Sequence, residues 1–158
     1  MNTSRRILLK GAATASLVAA AVAAGLLTPA RVLAASVWPT RAFDADTVGA
    51  AMSELFQTNE AADSGAIVIR APDIAENGAV VPITIETDMA RVQSITIIAE
   101  GNPAPLSAKF DLGPNVRPYV STRIKMGQTS NIIAVVQADG RVYSARKEVK
   151  VTVGGCDA

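Results

Sequence analysis

The chain has 158 residues, fifteen Lys and Arg against fourteen Asp and Glu, 49% hydrophobic residues, one cysteine and no histidine. Without histidine the usual general base, the Cys-His nucleophilic pair and most zinc sites are excluded, and one cysteine builds neither an internal disulfide nor a redox dithiol. No glycine-rich phosphate loop is present, so the composition predicts no resident cofactor or metal and no active site of the chain's own.

In chain order, Ser4-Arg5-Arg6-Ile7-Leu8-Leu9-Lys10 matches the twin-arginine export pattern, with Leu8 where phenylalanine is usual. A moderately apolar, alanine-rich run from Gly11 to Leu27 follows, then Pro29 and the small residues around Val32-Leu33-Ala34-Ala35. Residues 1–34 therefore read as a signal peptide cleaved after Ala34. The run is nearly long enough for a membrane anchor, but its weak hydrophobicity and the Val-x-Ala site favour removal. No stable membrane anchor is expected, and the destination is periplasmic. Arg5, Arg6, Lys10 and Arg31 leave with the signal, so eleven basic residues face fourteen acidic ones and the net charge becomes −3. Nucleic-acid binding has no electrostatic support. The remaining 124 residues suit one domain, which buries about two-thirds of its unfolded surface at that size.

An irregular lead through Trp38 and Pro39 precedes Phe43, Val48, Met52, Leu55 and Phe56 at helical spacing. The pattern predicts one helix, Phe43 to Gln57, with Asp44 or Asp46 at its positive end and an apolar stripe packed on a sheet. After Asp63-Ser64-Gly65 the texture turns to β-branched runs at Ala66–Arg70, Ala79–Thr87, Val92–Ala99, Leu106–Leu112, Arg117–Met126, Asn131–Ala138 and Arg141–Val153. Turn residues bound each run, and Asp139-Gly140 is a hairpin signal because both residues tolerate positive φ. Seven short strands so spaced predict a mainly β fold, an immunoglobulin-like antiparallel sandwich with one N-terminal helix and no intersheet disulfide. Val80-Val81-Pro82-Ile83 and Ile95-Thr96-Ile97-Ile98 are apolar on both faces. A second surface covered by another protein, or simply a thicker core, accounts for that. The carboxylate pairs Asp44 with Asp46 and Glu86 with Asp88 read as a helix start and a strand-end loop. Arg123 with Lys125 reads as the solvated face of a strand.

From Lys147 the sequence alternates, with Val149, Val151 and Val153 on one face, and stops at Gly154-Gly155-Cys156-Asp157-Ala158. Two glycines lack the Cβ that restricts dihedrals, so residues 154–158 read as a flexible arm, with Gly154 and Gly155 as its swivel. The sulfur of Cys156 would reach about 10 Å beyond the sheet. A frayed terminus with an incidental thiol is the bland reading. Free cysteine is normally buried, and an unpaired exposed thiol in an oxidising compartment is a liability unless used. Asp157 and the terminal carboxylate disfavour a thiolate beside them; Lys147 or Lys150 would offset this only if the arm folded back.

The terminal valine strand with Gly154-Gly155-Cys156 resembles the SoxY family of sulfur carriers, whose signature is a terminal Gly-Gly-Cys-Gly-Gly. The resemblance extends to the twin-arginine signal, to Ala71-Pro72-Asp73-Ile74-Ala75-Glu76-Asn77-Gly78, to Asn102-Pro103 with Pro105, and to Ser121-Thr122-Arg123-Ile124. Asp157-Ala158 departs from the family's two glycines. The resemblance implies the same sandwich fold and a carrier without its own active site. Thiosulfate-derived intermediates would ride on the thiol of Cys156, with no catalytic residue and no metal ligand. Its implied partners are a SoxZ-like β-sandwich subunit in a heterodimer, a SoxAX-like cytochrome, a SoxB-like hydrolase and, where one is present, a sulfane dehydrogenase. Two alternatives stay open: a non-covalent periplasmic scaffold with an accidental tail, and a SoxY-like carrier of a different cargo.

Overall fold

A computed structural model describes residues 38–152. The chain divides into two units, residues 1–38 and 39–158, and the elements that follow belong to the second. The predicted signal peptide and the arm 154–158 lie outside the described residues.

Where one helix is predicted, there are two: α1 (Thr40–Phe43) and α2 (Val48–Phe56). Neither Asp44 nor Asp46 caps α2. Asp44 closes α1, and Thr47, in extended conformation, caps α2 by accepting from the amide of Ala50 at 3.2 Å. A β-region Thr that satisfies a first-turn amide is a start signal, and it outranks the apolar spacing that runs through it. Gln57, at φ 58°, ends α2 in the left-handed region.

Nine strands follow among the described residues: β1 (Ala62–Asp63), β2 (Ile67–Arg70), β3 (Ile74–Ala75), β4 (Val81–Thr87), β5 (Val92–Ala99), β6 (Leu106–Asp111), β7 (Tyr119–Ile124), β8 (Ser130–Ala138) and β9 (Arg141–Val151). The seven longer ones are those predicted: β5 keeps its expected bounds, β8 begins one residue earlier at Ser130, and the other five are shorter at one or both ends. One sheet runs β1-β9-β8-β5-β6 with β3 also on β9, and the other runs β2-β4-β7. The pairing is antiparallel except that β1 and β3 lie parallel to β9. The fold is a mainly β, immunoglobulin-like sandwich.

Alternation fills the space between the sheets with Val81, Ile83 and Ile85 of β4, Ile95 and Ile97 of β5, Ile132, Ala134 and Val136 of β8, and Val149 of β9, all fully buried. On the outer side of the larger sheet, Ile98, Leu106, Ile133 and Val135 are equally covered, by Ala42, Ala51 and Met52 of the two helices. The apolar second face of β5 is thus covered by this chain's own helices. Each such side chain contributes about 1.5–3 kcal/mol by leaving water. Asp139 and Gly140 have φ of 52° and 72° between β8 and β9, the primed turn expected of them.

Candidate functional site

Strand β9 carries the chain toward Cys156, and its last residues are held on both sides. On one side Ile74 and Ala75 pair with Lys150 and Val151. The amide of Lys150 donates to the carbonyl of Asp73 at 3.0 Å, and the amide of Thr152 donates to the carbonyl of Ala75 at 3.1 Å. The Thr152 hydroxyl adds longer bonds to the carbonyls of Ala75 and Glu76, at 3.4 and 3.3 Å. On the other side Val149 pairs with Ser130, and the Val151 amide donates to Thr129 Oγ1 at 2.9 Å. Backbone donors up to Thr152 are therefore satisfied before the chain reaches the glycines, as ordered backbone requires.

The segment 71–78, with its proline, acidic residues and glycine, forms this collar because it has too few apolar residues for a longer strand. Ala75 is buried and pins it to the core, while Ile74 is 57% exposed. Asn77 turns the chain by accepting from the amide of Ala79 at 2.8 Å, an Asx turn. The carbonyl of Gly78 then accepts from the amide of Met126 at 2.7 Å.

The Asn102 motif braces the opposite loop. Its Oδ1 accepts from the amide of Gly127 at 2.9 Å and its Nδ2 donates to the carbonyl of Lys125 at 2.7 Å. Gln128 Nε2 donates to the carbonyl of Gly101 at 2.8 Å. The approach is close enough that a Cβ on Gly101 would lie 2.8 Å from Ser130 Cβ. The turn 125–129, which supplies Thr129 to Val151, is thereby fixed at both ends.

Of the residues singled out in the sequence, Cys156, Gly154 and Gly155 lie outside the described residues, as do Val153, Asp157 and Ala158. Lys147 is committed elsewhere: its Nζ donates to the carbonyl of Ala71 at 2.7 Å and lies 3.0 Å from Asp73 Oδ1. Lys150 is exposed. Glu86, paired with Asp88 in the sequence, instead accepts from Arg70 Nε at 2.8 Å, and Arg117 lies 3.9 Å away. Arg123 and Lys125 are exposed on a strand and its end, as expected. Sequence reasoning missed Thr129 and the collar roles of Asp73, Ala75 and Thr152. The only signal was that 71–78 and Asn102 stood out without an assigned task. Among the described residues, no group of three or more His, Cys, Asp or Glu is placed to hold a metal ion.

A family model described as sulfur oxidation protein SoxY matches residues 52–156. Among solved structures, the chain is similar to the sulfur carrier protein SoxY from Chlorobium limicola f thiosulfatophilum. The two are 42% identical over 72% of this chain and 99% of that one, with a TM-score of 0.62. It is also similar to superoxide reductase (neelaredoxin) from Ignicoccus hospitalis, at 18% identity over 54% of this chain and 80% of the other, with a TM-score of 0.49. No curated protein matches.

Proposed function

Because this chain belongs to the SoxY family, we propose that it is a covalent sulfur carrier that holds oxidation intermediates on the thiol of Cys156. The observation that carries the reading is the anchorage of Thr152 beside a family match that runs through Cys156. A carrier needs a fixed origin and a mobile end. With Thr152 as the origin, Cys156 lies four positions on, a reach of about 13–14 Å when extended.

In the cycle we propose, thiosulfate is joined to Cys156: a thiolate and a thiosulfate dianion form the S–S bond of an S-thiosulfonate, and two electrons pass to a SoxAX-like haem cytochrome. Water then cleaves the terminal S–S(O₃) bond in a SoxB-like hydrolase, releasing sulfate and two protons and leaving a persulfide on the carrier. A sulfane dehydrogenase, where present, oxidises the outer persulfide sulfur with three waters to a sulfonate, releasing six protons and passing six electrons to a haem acceptor, before a second hydrolysis. Gly154 and Gly155 keep the arm narrow for entry into those enzymes. The carrier itself supplies no acid, base or metal, and it works in the periplasm after twin-arginine export, paired with a SoxZ-like subunit.

Intact mass of the protein isolated from thiosulfate-grown cells tests the reading. Reductant-labile sulfur adducts that vanish in Cys156→Ser are expected. An unmodified thiol, with sulfur oxidation undiminished in Cys156→Ser, would transfer the assignment to a non-covalent scaffold. Asp157 puts an anion where the family has glycine, so Asp157→Gly is expected to speed loading by a SoxAX-like cytochrome.

A further inference from the structure

Six asparagines stand in the chain, and the residue that follows each decides whether the main chain can attack its side-chain amide. Asn102 precedes Pro103, which has no amide hydrogen to lose. Asn115 and Asn131 precede Val116 and Ile132, whose β-branched side chains crowd the nitrogen. Asn59 precedes Glu60, whose amide already donates to Thr58 Oγ1 at 3.1 Å. Asn2 lies outside the described residues. That leaves Asn77, which is exposed and precedes Gly78, a residue without a Cβ to shield its nitrogen.

The collar turn prepares both reactants. Gly78 is held by its carbonyl, which accepts from the amide of Met126 at 2.7 Å, while none of the described residues accepts from its own amide. No bond therefore retains the proton that the attacking nitrogen must give up. Asn77 Oδ1, for its part, accepts from the amide of Ala79 at 2.8 Å. That bond closes a ring of atoms containing both the Asn77 Cγ and the Gly78 nitrogen. It also puts a donor on the oxygen that becomes negative when Cγ is attacked, the arrangement of an oxyanion hole. The side chain that turns the collar is thus an electrophile beside an open nucleophile.

We propose that Asn77 deamidates of its own accord in the folded chain and that the product loosens the collar. The Gly78 nitrogen loses its proton to water or hydroxide and bonds to Asn77 Cγ. The bond from Cγ to Nδ2 breaks, ammonia leaves and a cyclic imide remains. Water adds to either carbonyl of the imide and opens it to aspartate or isoaspartate, with no oxidant or reductant involved. Isoaspartate routes the main chain through Cβ and Cγ, which adds a main-chain atom between Ala75 and Gly78. Both ends of that span are anchored, Ala75 to Thr152 at 3.1 Å and Gly78 to Met126 at 2.7 Å, and Glu76 accepts from the Thr152 hydroxyl at 3.3 Å. The bonds to Thr152 yield first, because β3 is a two-residue strand whereas the Gly78 bond continues the ladder of β4 and β7. The arm then starts one residue earlier, at Val151, still held by Thr129 Oγ1 at 2.9 Å. Only this longer arm depends on Cys156 carrying cargo.

The test ages the folded, exported chain at mildly alkaline pH and reads peptide masses, isoaspartate by enzymatic methylation, and amide hydrogen exchange. Conversion is expected at Asn77 ahead of Asn59 and Asn115, and faster as pH rises, because the attacking nitrogen must be deprotonated. Amide exchange at Thr152 should rise by about two- to tenfold, the net worth of one hydrogen bond, while β5 and β8 stay slow. Asn77→Ser keeps an acceptor for the Ala79 amide but has no ammonia to lose, and its Thr152 exchange should not change with age. Asn77 left intact in the folded chain, after the same chain in urea has converted fully, would overturn the site. Conversion without faster exchange at Thr152, or equal ageing of Thr152 in Asn77→Ser, would overturn the loosening of the collar. Asn77→Asp carries the product's charge without the added atom. Should fresh Asn77→Asp exchange at Thr152 as fast as the aged protein, charge and not chain length would be the cause, and the lengthened-span account would fall. None of these readouts involves cargo, so each failure leaves the carrier assignment untouched.

Discussion

The amide of Thr152 donates to the carbonyl of Ala75 at 3.1 Å, and this single bond ties the last described residue before the glycines to a buried alanine seventy-seven positions earlier. The collar residue is in turn part of the two-residue strand β3. A local fastening thus separates the rigid sandwich from the residues that follow it.

Thr129→Val removes the acceptor of the Val151 amide, bonded at 2.9 Å, without altering side-chain shape. A loss of about 0.5–1.5 kcal/mol is expected. Amide exchange at Val151 should accelerate while that of the β5 and β8 core stays slow. Equal acceleration throughout would mean that Thr129 supports the whole fold and has no special tie to the collar.

Gly101→Ala should be destabilising by about 1–3 kcal/mol, because its Cβ would sit 2.8 Å from Ser130 Cβ and 2.9 Å from Gln128 Cγ. Gly113→Ala is the matched control. Its Cβ would meet only Val116 Cγ2, at 3.6 Å, and a less flexible unfolded chain favours the substitution slightly. Thermal melts of the two variants should separate clearly, with only Gly101→Ala falling.

Thr96 is fully buried and its hydroxyl has no hydrogen-bond partner among the described residues. Thr96→Val keeps the β-branched shape and deletes the stranded polar group. A gain of about 1 kcal/mol in denaturant unfolding is expected, and a loss would reveal a partner for the hydroxyl.

Asp139 accepts a hydrogen bond from Arg91 Nε, and that bond, against a desolvation cost and with lesser help from the charges of Arg91 and Arg141, holds its carboxyl below the ordinary carboxylate range. A carboxyl with a lowered folded-state pKa stabilises fully above its unfolded value, near 4, and loses that contribution as pH falls through the lowered value. Asp139→Asn preserves a residue that tolerates the φ of 52°. Its melting temperature should lie below wild type by a constant amount above about pH 5. The two curves should converge on acidification, and a gap that widened instead would contradict the assignment.

The seven long strands were legible because their β-branched runs are bounded by Gly, Pro, Asn and Asp, and Asp139-Gly140 announced its turn by chemistry alone. The helix division was legible only as a phase break: Phe43 and Val48 stand five residues apart, about 140° around a helix, and Thr47 caps the second helix inside that gap. Strands β1 and β3 were illegible for another reason. Ala62–Asp63 and Ile74–Ala75 have no period of their own, and β9 alone makes them strands. The double-sided apolarity of β5 was visible, but whether helices or another protein covered it was not a property of that stretch. At the site, the motifs at 71–78 and Asn102 were visible and their shared purpose was not, since the bonds from Ala75 and Thr129 to β9 join residues distant in sequence.

The position of β9 within its sheet has a mechanical consequence. It lies between β8 on one flank and β1 and β3 on the other, and its hydrogen bonds run across its axis. Tension applied to the chain beyond Thr152 by an enzyme gripping its cargo would load that whole ladder in shear, instead of unzipping it rung by rung. The sandwich is moored to resist being tugged.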